Sequence, residues 1–311
     1  MEHMKEGLKI NKMASREEIQ RNLTNVYYDK LMEEISKQEM PFLSSVEKTS
    51  NYVYGKDIRR YIAHVKDGKI IGEEINVGLS NIYVDIDVPK NLVDYNWFCE
   101  KVAQSVSKTM VEKCTFGFII SHNGAYATDE RFYGIDDAVS TNNLFYNIDR
   151  DDFRKSPEIK LFKSEFNDYS FTNTLYNLIL ELKHPYNEIY KYPDHMVCGQ
   201  KMLPLFESMF YNMPNVFYNK NNRWYLDFNG SDIPPICINF LPKCYNDYIR
   251  LLNSSTFTLH QLCDWCWLSG EDGKILKEKD SYNYKATLVK YCNLICINPQ
   301  YNGIIELVEE R

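Results

Sequence analysis

The sequence contains no apolar run that approaches the ~20 residues a membrane-spanning helix needs. Its longer ones, such as Phe116 to Ile120, are far shorter, so no membrane association is expected. Nor does it begin with an apolar segment. Met1 to Met13 is charged, which excludes a secretory signal and marks residues 1–14 as a leader or flexible N-terminus, with Met13 as a natural start. Glycine is sparse, with 13 in 311 residues, and no glycine-rich phosphate loop of Walker or dinucleotide type is present. His-Glu-x-x-His and Gly-x-Ser-x-Gly are also missing, which removes zincin-type proteases and α/β-hydrolases. Positive charge is in deficit: 36 lysines and arginines face 43 aspartates and glutamates, a formal charge of −7. Proteins that coat duplex nucleic acid carry the opposite sign, because phosphate neutralisation drives such binding. A nucleotide or nucleic-acid partner would need a local basic groove.

What is present suits a large folded chain. Hydrophobic residues make up 44% of the total, enough to build one large domain or two ordinary ones. Nine cysteines without a signal peptide predict reduced thiols in a cytoplasmic or nuclear protein that is not secreted. Twenty-four tyrosines among many asparagines, lysines and isoleucines suggest an AT-rich coding genome, as in large DNA viruses, protists and low-GC bacteria.

Periodicity predicts an α+β (mixed α/β) fold. Ser15 and Glu18 form a capping box ahead of Ile19, Leu23, Val26, Leu31 and Ile35 at near-helical spacing. Residues 58–66 and 69–76 read as a hairpin. Residues 81–88 alternate cleanly, with Ile82, Val84, Ile86 and Val88 on one face and Tyr83, Asp85 and Asp87 on the other. After Pro89 a helix over 92–113 is expected, with the stripe Tyr95, Phe98, Cys99, Val102, Val106 and Met110, followed by a strand over 115–121. That order suggests a βαβ unit in the N-terminal half. Helices over 171–182 and 204–211, a second hairpin around Asn219 to Asn222, and an apolar Leu262 to Leu268 stretch that looks like a buried helix suggest a helix-rich C-terminal half. The expected division is a mixed domain over 15–160 and a second domain or subdomain over 161–311.

The sharpest chemical signal is Asp85-Ile86-Asp87. Two carboxylates on one face of a strand can hold Mg²⁺ or Mn²⁺, which neutralise phosphates and activate an attacking hydroxyl. In a βαβ unit Ser121 and His122 would lie at the same sheet edge and could grip the substrate. An antiparallel strand with one wet face gives the same alternation, with its aspartates simply solvated.

The Ile82-Tyr83-Val84-Asp85-Ile86-Asp87 strand, a helix, and a strand ending in Ser121-His122 together resemble the catalytic core of archaeo-eukaryotic primases. The resemblance implies that Asp85, Asp87 and a downstream Asp227, in Leu226-Asp227, bind metal and that His122 contacts nucleotide phosphate. It departs from that family at Ile120, where a small residue is expected. A glycosyltransferase Asp-x-Asp site is a rival.

Near the C-terminus, Cys263-x₂-Cys266 and Cys292-x₃-Cys296 have the spacing of a structural Zn²⁺ site. Their flanks are apolar, which equally suits buried core thiols. His195 near Cys198 does not define a Cys–His nucleophile. Tyr218, Trp224, Tyr225 and Phe228, supported by Lys220 and Arg223, could form an aromatic platform for single-stranded nucleic acid or a protein.

Two function classes follow. One is a divalent-metal-dependent phosphoryl- or nucleotidyl-transfer enzyme, primase-like and engaged in DNA replication. The other is a non-enzymatic viral factor that binds protein or associates with nucleic acid.

Overall fold

The local patterns translate into elements in a computed structural model, which describes residues 14–66, 69–116, 132–139, 144–146, 148–149, 158–162, 168–185, 189, 191–211, 216–241 and 247–308. The α-helices are α1 (Arg16–Arg21), α2 (Tyr28–Lys37), α3 (Pro41–Ser45), α4 (Tyr95–Phe116), α5 (Ile135–Val139), α6 (Asp168–Glu181) and α7 (Leu203–Met209). The first nine strands are β1 (Glu47–Thr49), β2 (Val53–Tyr54), β3 (Asp57–Lys66), β4 (Lys69–Gly78), β5 (Ser80–Pro89), β6 (Leu144–Phe145), β7 (Ile148–Asp149), β8 (Glu158–Phe162) and β9 (His195–Gly199). The rest are β10 (Phe217–Lys220), β11 (Arg223–Leu226), β12 (Ile236–Leu241), β13 (Tyr248–Leu252), β14 (Phe257–Gln261), β15 (Cys266–Trp267), β16 (Lys277–Glu278), β17 (Asn283–Cys296) and β18 (Gly303–Val308). Helices and mixed sheets together make an α+β fold.

The chain divides into two compact units, neither of them a consecutive half of the sequence. One comprises Met1–Gln38, Ile82–Ser107 and Trp265–Lys290; the other comprises Glu39–Asn81, Lys108–Asp264 and Tyr291–Arg311.

In the first unit Ser15 caps α1, its Oγ accepting the Glu18 N–H at 3.2 Å. The next turn widens into a π-helical segment, Asn22–Val26, closed by the Tyr27 N–H on the Asn22 carbonyl. Trp267 Nε1 donates to the Leu23 carbonyl at 3.3 Å, tying this segment to β15. The stripe on α4 is buried as its spacing predicts, from Tyr95 through Phe98, Cys99, Val102 and Val106. The alternation on β5 is equally faithful: Ile82, Val84, Ile86 and Val88 are buried while Tyr83, Asp85 and Asp87 are exposed.

The second unit is built on a seven-stranded mixed sheet in the order β10-β11-β12-β9-β13-β18-β8. Its centre, β9, is buried at every position and pairs parallel with β12 and antiparallel with β13. The β10–β11 hairpin turns on Asn221 and Asn222, both at positive φ (53° and 61°). Two left-handed residues give the turn whose twist matches a two-residue hairpin, and asparagine tolerates that conformation. The core beside the sheet gathers Phe171, Leu175, Leu178 and Ile179 of α6 with Phe206 of α7, Ile236, Ile238, Leu251 and Ile305. Also in this unit, β1 runs parallel to β14, and β14 runs antiparallel to the end of β17. The ribbon β2-β3-β4 completes it, with Asp57 opposite Gly78 and Lys66 opposite Lys69.

Three expectations need correction. Thr115 and Phe116, expected to open a second parallel strand, are the last residues of α4, and 117–121 lie outside the described residues. No βαβ unit is formed by the described part: the sheet partner of β5 is β17, which arrives from far down the chain. The C-terminal half is strand-rich, not helix-rich. Beyond Met209 the described helical turns are three-residue 3₁₀ segments, at Ser254–Thr256 and Pro299–Tyr301. The Leu262 to Leu268 stretch misled because its tryptophans and cysteines are apolar all round; it is a turn leading into the short β15.

Phe206 is fully buried, with ring centroids of Phe171, Phe210, Phe217 and Phe240 lying 5.6–6.2 Å away. Phe206→Ala should therefore cost about 3–5 kcal/mol. Urea unfolding would measure it, and a loss below about 1 kcal/mol would contradict this packing.

Candidate functional site

Asp85 and Asp87 sit on the wet face of β5, where cations already meet them. Lys285 Nζ lies 2.6 Å from Asp85 Oδ2, and the Thr287 hydroxyl donates to Asp85 Oδ1 at 2.7 Å. Lys279 Nζ contacts both Asp87 oxygens at 2.6 Å. The hydrogen bond from Lys285 is the main reason the Asp85 carboxyl titrates below the usual carboxylate range, against the opposing effect of partial burial. The two carboxylate side chains remain 57% and 58% exposed, so solvent screens both pairs and each contributes little to stability.

The other expected site residues fall elsewhere. Ser121 and His122 lie outside the described residues. Asp227 belongs to the second unit, whereas Asp85 and Asp87 belong to the first. Cys263 is exposed in a turn, and Cys266 on β15 approaches the Val289 carbonyl at 3.7 Å. Cys292 and Cys296 are buried on β17, opposite Gln261 and Phe257 respectively. Among the described residues no group of three or more His, Cys, Asp or Glu side chains is placed to hold a metal ion. Among the same residues, no helix is long and apolar enough to cross a membrane. The proposed aromatic platform is divided: Tyr218 and Tyr225 stack at 5.5 Å, while Trp224 stacks at 4.6 Å on the buried Phe217.

One buried polar cluster had no sequence signature. His195 is 4% exposed, and its Nε2 lies 2.9 Å from Ser45 Oγ. The arrangement resembles a nucleophilic Ser–His pair, but its protons run the wrong way. Asn239 Oδ1 accepts the Phe42 N–H at 3.0 Å, which turns Nδ2 toward His195 Nδ1 at 3.3 Å and toward the Met196 and Cys237 carbonyls. The amide nitrogen offers Nδ1 no lone pair, so these neighbours favour the tautomer with its proton on Nε2, directed at Ser45. A general base needs the reverse. Asp194 does not orient the ring either: its carboxylate takes the Ser254 N–H and hydroxyl at 2.7 and 2.5 Å. The cluster is a latch that fastens α3, and the chain leading to β1, onto β9 and β12. Its members lie far apart in sequence, so only the fold brings them together.

The second unit also carries the β2-β3-β4 ribbon. β2 covers the edge of β3 only at Val53–Ile58 and Tyr54–Asp57. Beyond Arg59 the described part of β3 has β4 alone as partner, and among the described residues no strand pairs with the other edge of β4. Arg60 stacks over Tyr52 at 4.5 Å and Arg59 over Tyr54 at 5.6 Å. Tyr52, Tyr54 and Tyr61 are 50–73% exposed.

No protein-family model matches the chain, and no curated protein matches it in sequence. Solved structures do match, over nearly its whole length. A chain of the virus-like particle from Pyrococcus furiosus superposes with a TM-score of 0.55 and 11% identity, covering 89% of this chain and 96% of that one. A chain of the satellite phage P4 procapsid, in a structure including the size determination protein, gives 0.51 at 11% identity, covering 91% of each. A chain of the holo-SrpI encapsulin complex from Synechococcus elongatus gives 0.50 at 13% identity, covering 88% and 89%. The fold is therefore the HK97-like fold of phage capsid and encapsulin shell proteins.

This overturns the primase resemblance, together with the nucleotidyltransferase and metal-binding reading built on it. The physical reason is visible on β5. A strand with one buried and one solvated face produces hydrophobic-Asp-x-Asp lettering without any catalytic purpose. The non-enzymatic alternative agrees better with the fold.

Two buried histidines contribute to the acid response. Burial pushes the His195 imidazole below its ordinary value, with Asp194 opposing and Arg223 assisting. His260, fully buried with Nδ1 3.0 Å from the Asn51 carbonyl, is pushed down to about 4, mainly by burial. A base whose pKa is depressed by folding takes up its proton first in the unfolded chain. Their contribution to stability is thus complete above about pH 6.5 and is lost as pH falls toward about 4. Urea unfolding between pH 7.5 and 4.5 should show this decline. His260→Asn, which can keep the bond to Asn51, should flatten it; an unchanged slope would remove His260 from the account.

Proposed function

We propose that this protein is a non-enzymatic structural subunit that assembles with copies of itself into a closed shell of viral or encapsulin type. The single observation that carries the reading is the whole-length fold match to chains of three particle-forming assemblies, which leaves little of either chain uncovered. The surface supports it. A two-stranded ribbon of ten-residue strands, about 30 Å long, is marginal by itself, and open strand edges invite another chain. Exposed tyrosines interleaved with arginines are the side chains that interfaces favour. The partner in this reading is protein, foremost a second copy. Assembly takes place in the cytoplasm, where the thiols stay reduced.

Purified full-length protein examined by light scattering and electron microscopy should form closed particles of many subunits. A monomer or dimer at every concentration and ionic strength tested would sink the proposal. Reversing charge at the ribbon base with Arg59→Glu and Arg60→Glu should raise the concentration needed for assembly by about tenfold or more, the equivalent of about 1.4 kcal/mol. Arg59 is exposed and Arg60 is half-buried over Tyr52, so the melting temperature of the unassembled subunit should fall by no more than a few degrees. Unaltered assembly would acquit the ribbon.

A further inference from the structure

The second unit contains a cleft of about 580 Å³ between α6, the end of α7 and the loop after β11. That volume lies within the range of small-molecule sites, which combine apolar walls with a few fixed polar groups. Here Tyr176, Met209, Phe210, Val216 and Phe228 supply the walls, and Asp227 is the one charged residue among the lining side chains. The Tyr176 and Phe228 rings face each other at 5.4 Å and 59°.

The floor is fixed in place. The Asp227 N–H donates to the Val216 carbonyl at 2.7 Å, which holds this residue across the base of the hairpin. The Ser231 hydroxyl donates to the Phe228 carbonyl at 2.7 Å, and the Ser231 N–H donates to the same oxygen at 3.0 Å. Gly230, at φ +81°, allows that tight turn. Phe210 continues from the cleft into the core through Phe206 and Phe217.

Asp227 differs from the acids of β5. Asp85 and Asp87 each hold a lysine at 2.6 Å, but no lysine, arginine or histidine among the described residues lies within ion-pair distance of Asp227. Its ionisable neighbour is Tyr218, whose phenol burial and the Asp227 charge together keep protonated, so it supplies no cation. A half-buried carboxylate beside aromatic walls is complementary to a ligand that is apolar at one end and cationic at the other. An ammonium gains a charge-assisted hydrogen bond there, and the adjoining rings shield it from water.

We propose that this cleft binds a small amphipathic amine, with its apolar group between Tyr176, Phe210 and Phe228 and its ammonium on Asp227. The proposal does not depend on shell assembly, since every lining residue comes from one unit of one chain.

Tryptamine is a suitable probe, with N-acetyltryptamine as its uncharged counterpart and indole-3-acetate as its anionic one. Calorimetric titration of the full-length protein should show saturable tryptamine binding and at least about tenfold weaker binding of both analogues. Asp227→Asn, nearly isosteric, should weaken tryptamine by about tenfold without shifting the melting temperature. Tyr176→Leu should weaken it through the wall and so provides a second readout if the first variant folds poorly. No binding at millimolar tryptamine, equal binding of the three probes, or indifference to both substitutions would overturn the proposal.

Discussion

Strand β9 is buried along its entire length, so every polar group it carries must find a partner inside the protein. That constraint organises the second unit. The backbone of β9 is satisfied by β12 on one side and β13 on the other, which makes it the centre of the seven-stranded sheet. Its one polar side chain, His195, cannot be left unpaired at such depth, where an unmet hydrogen bond costs on the order of 1–3 kcal/mol. The Asn239 amide serves His195, two strand carbonyls and the first turn of α3 at once. A single side chain thereby fastens α3, the helix just ahead of β1 and the ribbon, to the sheet.

The same accounting separates apparent chemistry from architecture. Ser45, His195 and Asp194 have the composition of a catalytic triad, yet Asn239 faces His195 Nδ1 with a donor and Ser254 holds the Asp194 carboxylate. Asp85 and Asp87 have the lettering of a metal site, yet each already holds a lysine on an open face. In both places residue types suggested a reaction, and hydrogen-bond direction or existing ion pairs argued for structure.

Local order was readable from local letters. The stripe on α4, the alternation of β5, the cap at Ser15 and the asparagine turn of β10–β11 all depend on neighbours a few residues apart. Pairings between distant segments were not readable: β1 beside β14, β5 beside β17, and β8 beside β18. Nothing in a strand's own sequence names a partner far along the chain, and a strand buried on both faces loses even its alternation, as β9 and β12 do. The latch at His195 was invisible for the same reason, and the Asp227 cleft depends on two helices and a hairpin meeting. At 11–13% identity to chains of the same fold, shared topology survives without shared motifs.

The interleaved composition of the two units also bears on synthesis. Each unit includes a segment from the last fifth of the chain: Trp265–Lys290 in one, Tyr291–Arg311 in the other. β8 waits for β18, β1 for β14, and the α1 region for β15 through the Trp267 bond to Leu23. A nascent chain still on the ribosome has helices and hairpins available but neither unit complete. Apolar faces of the earlier segments therefore stay exposed until those later segments have been made. A fold threaded in this way cannot close either unit before residues 265–311 are made, so chains truncated ahead of them would lack the strands on which both units close.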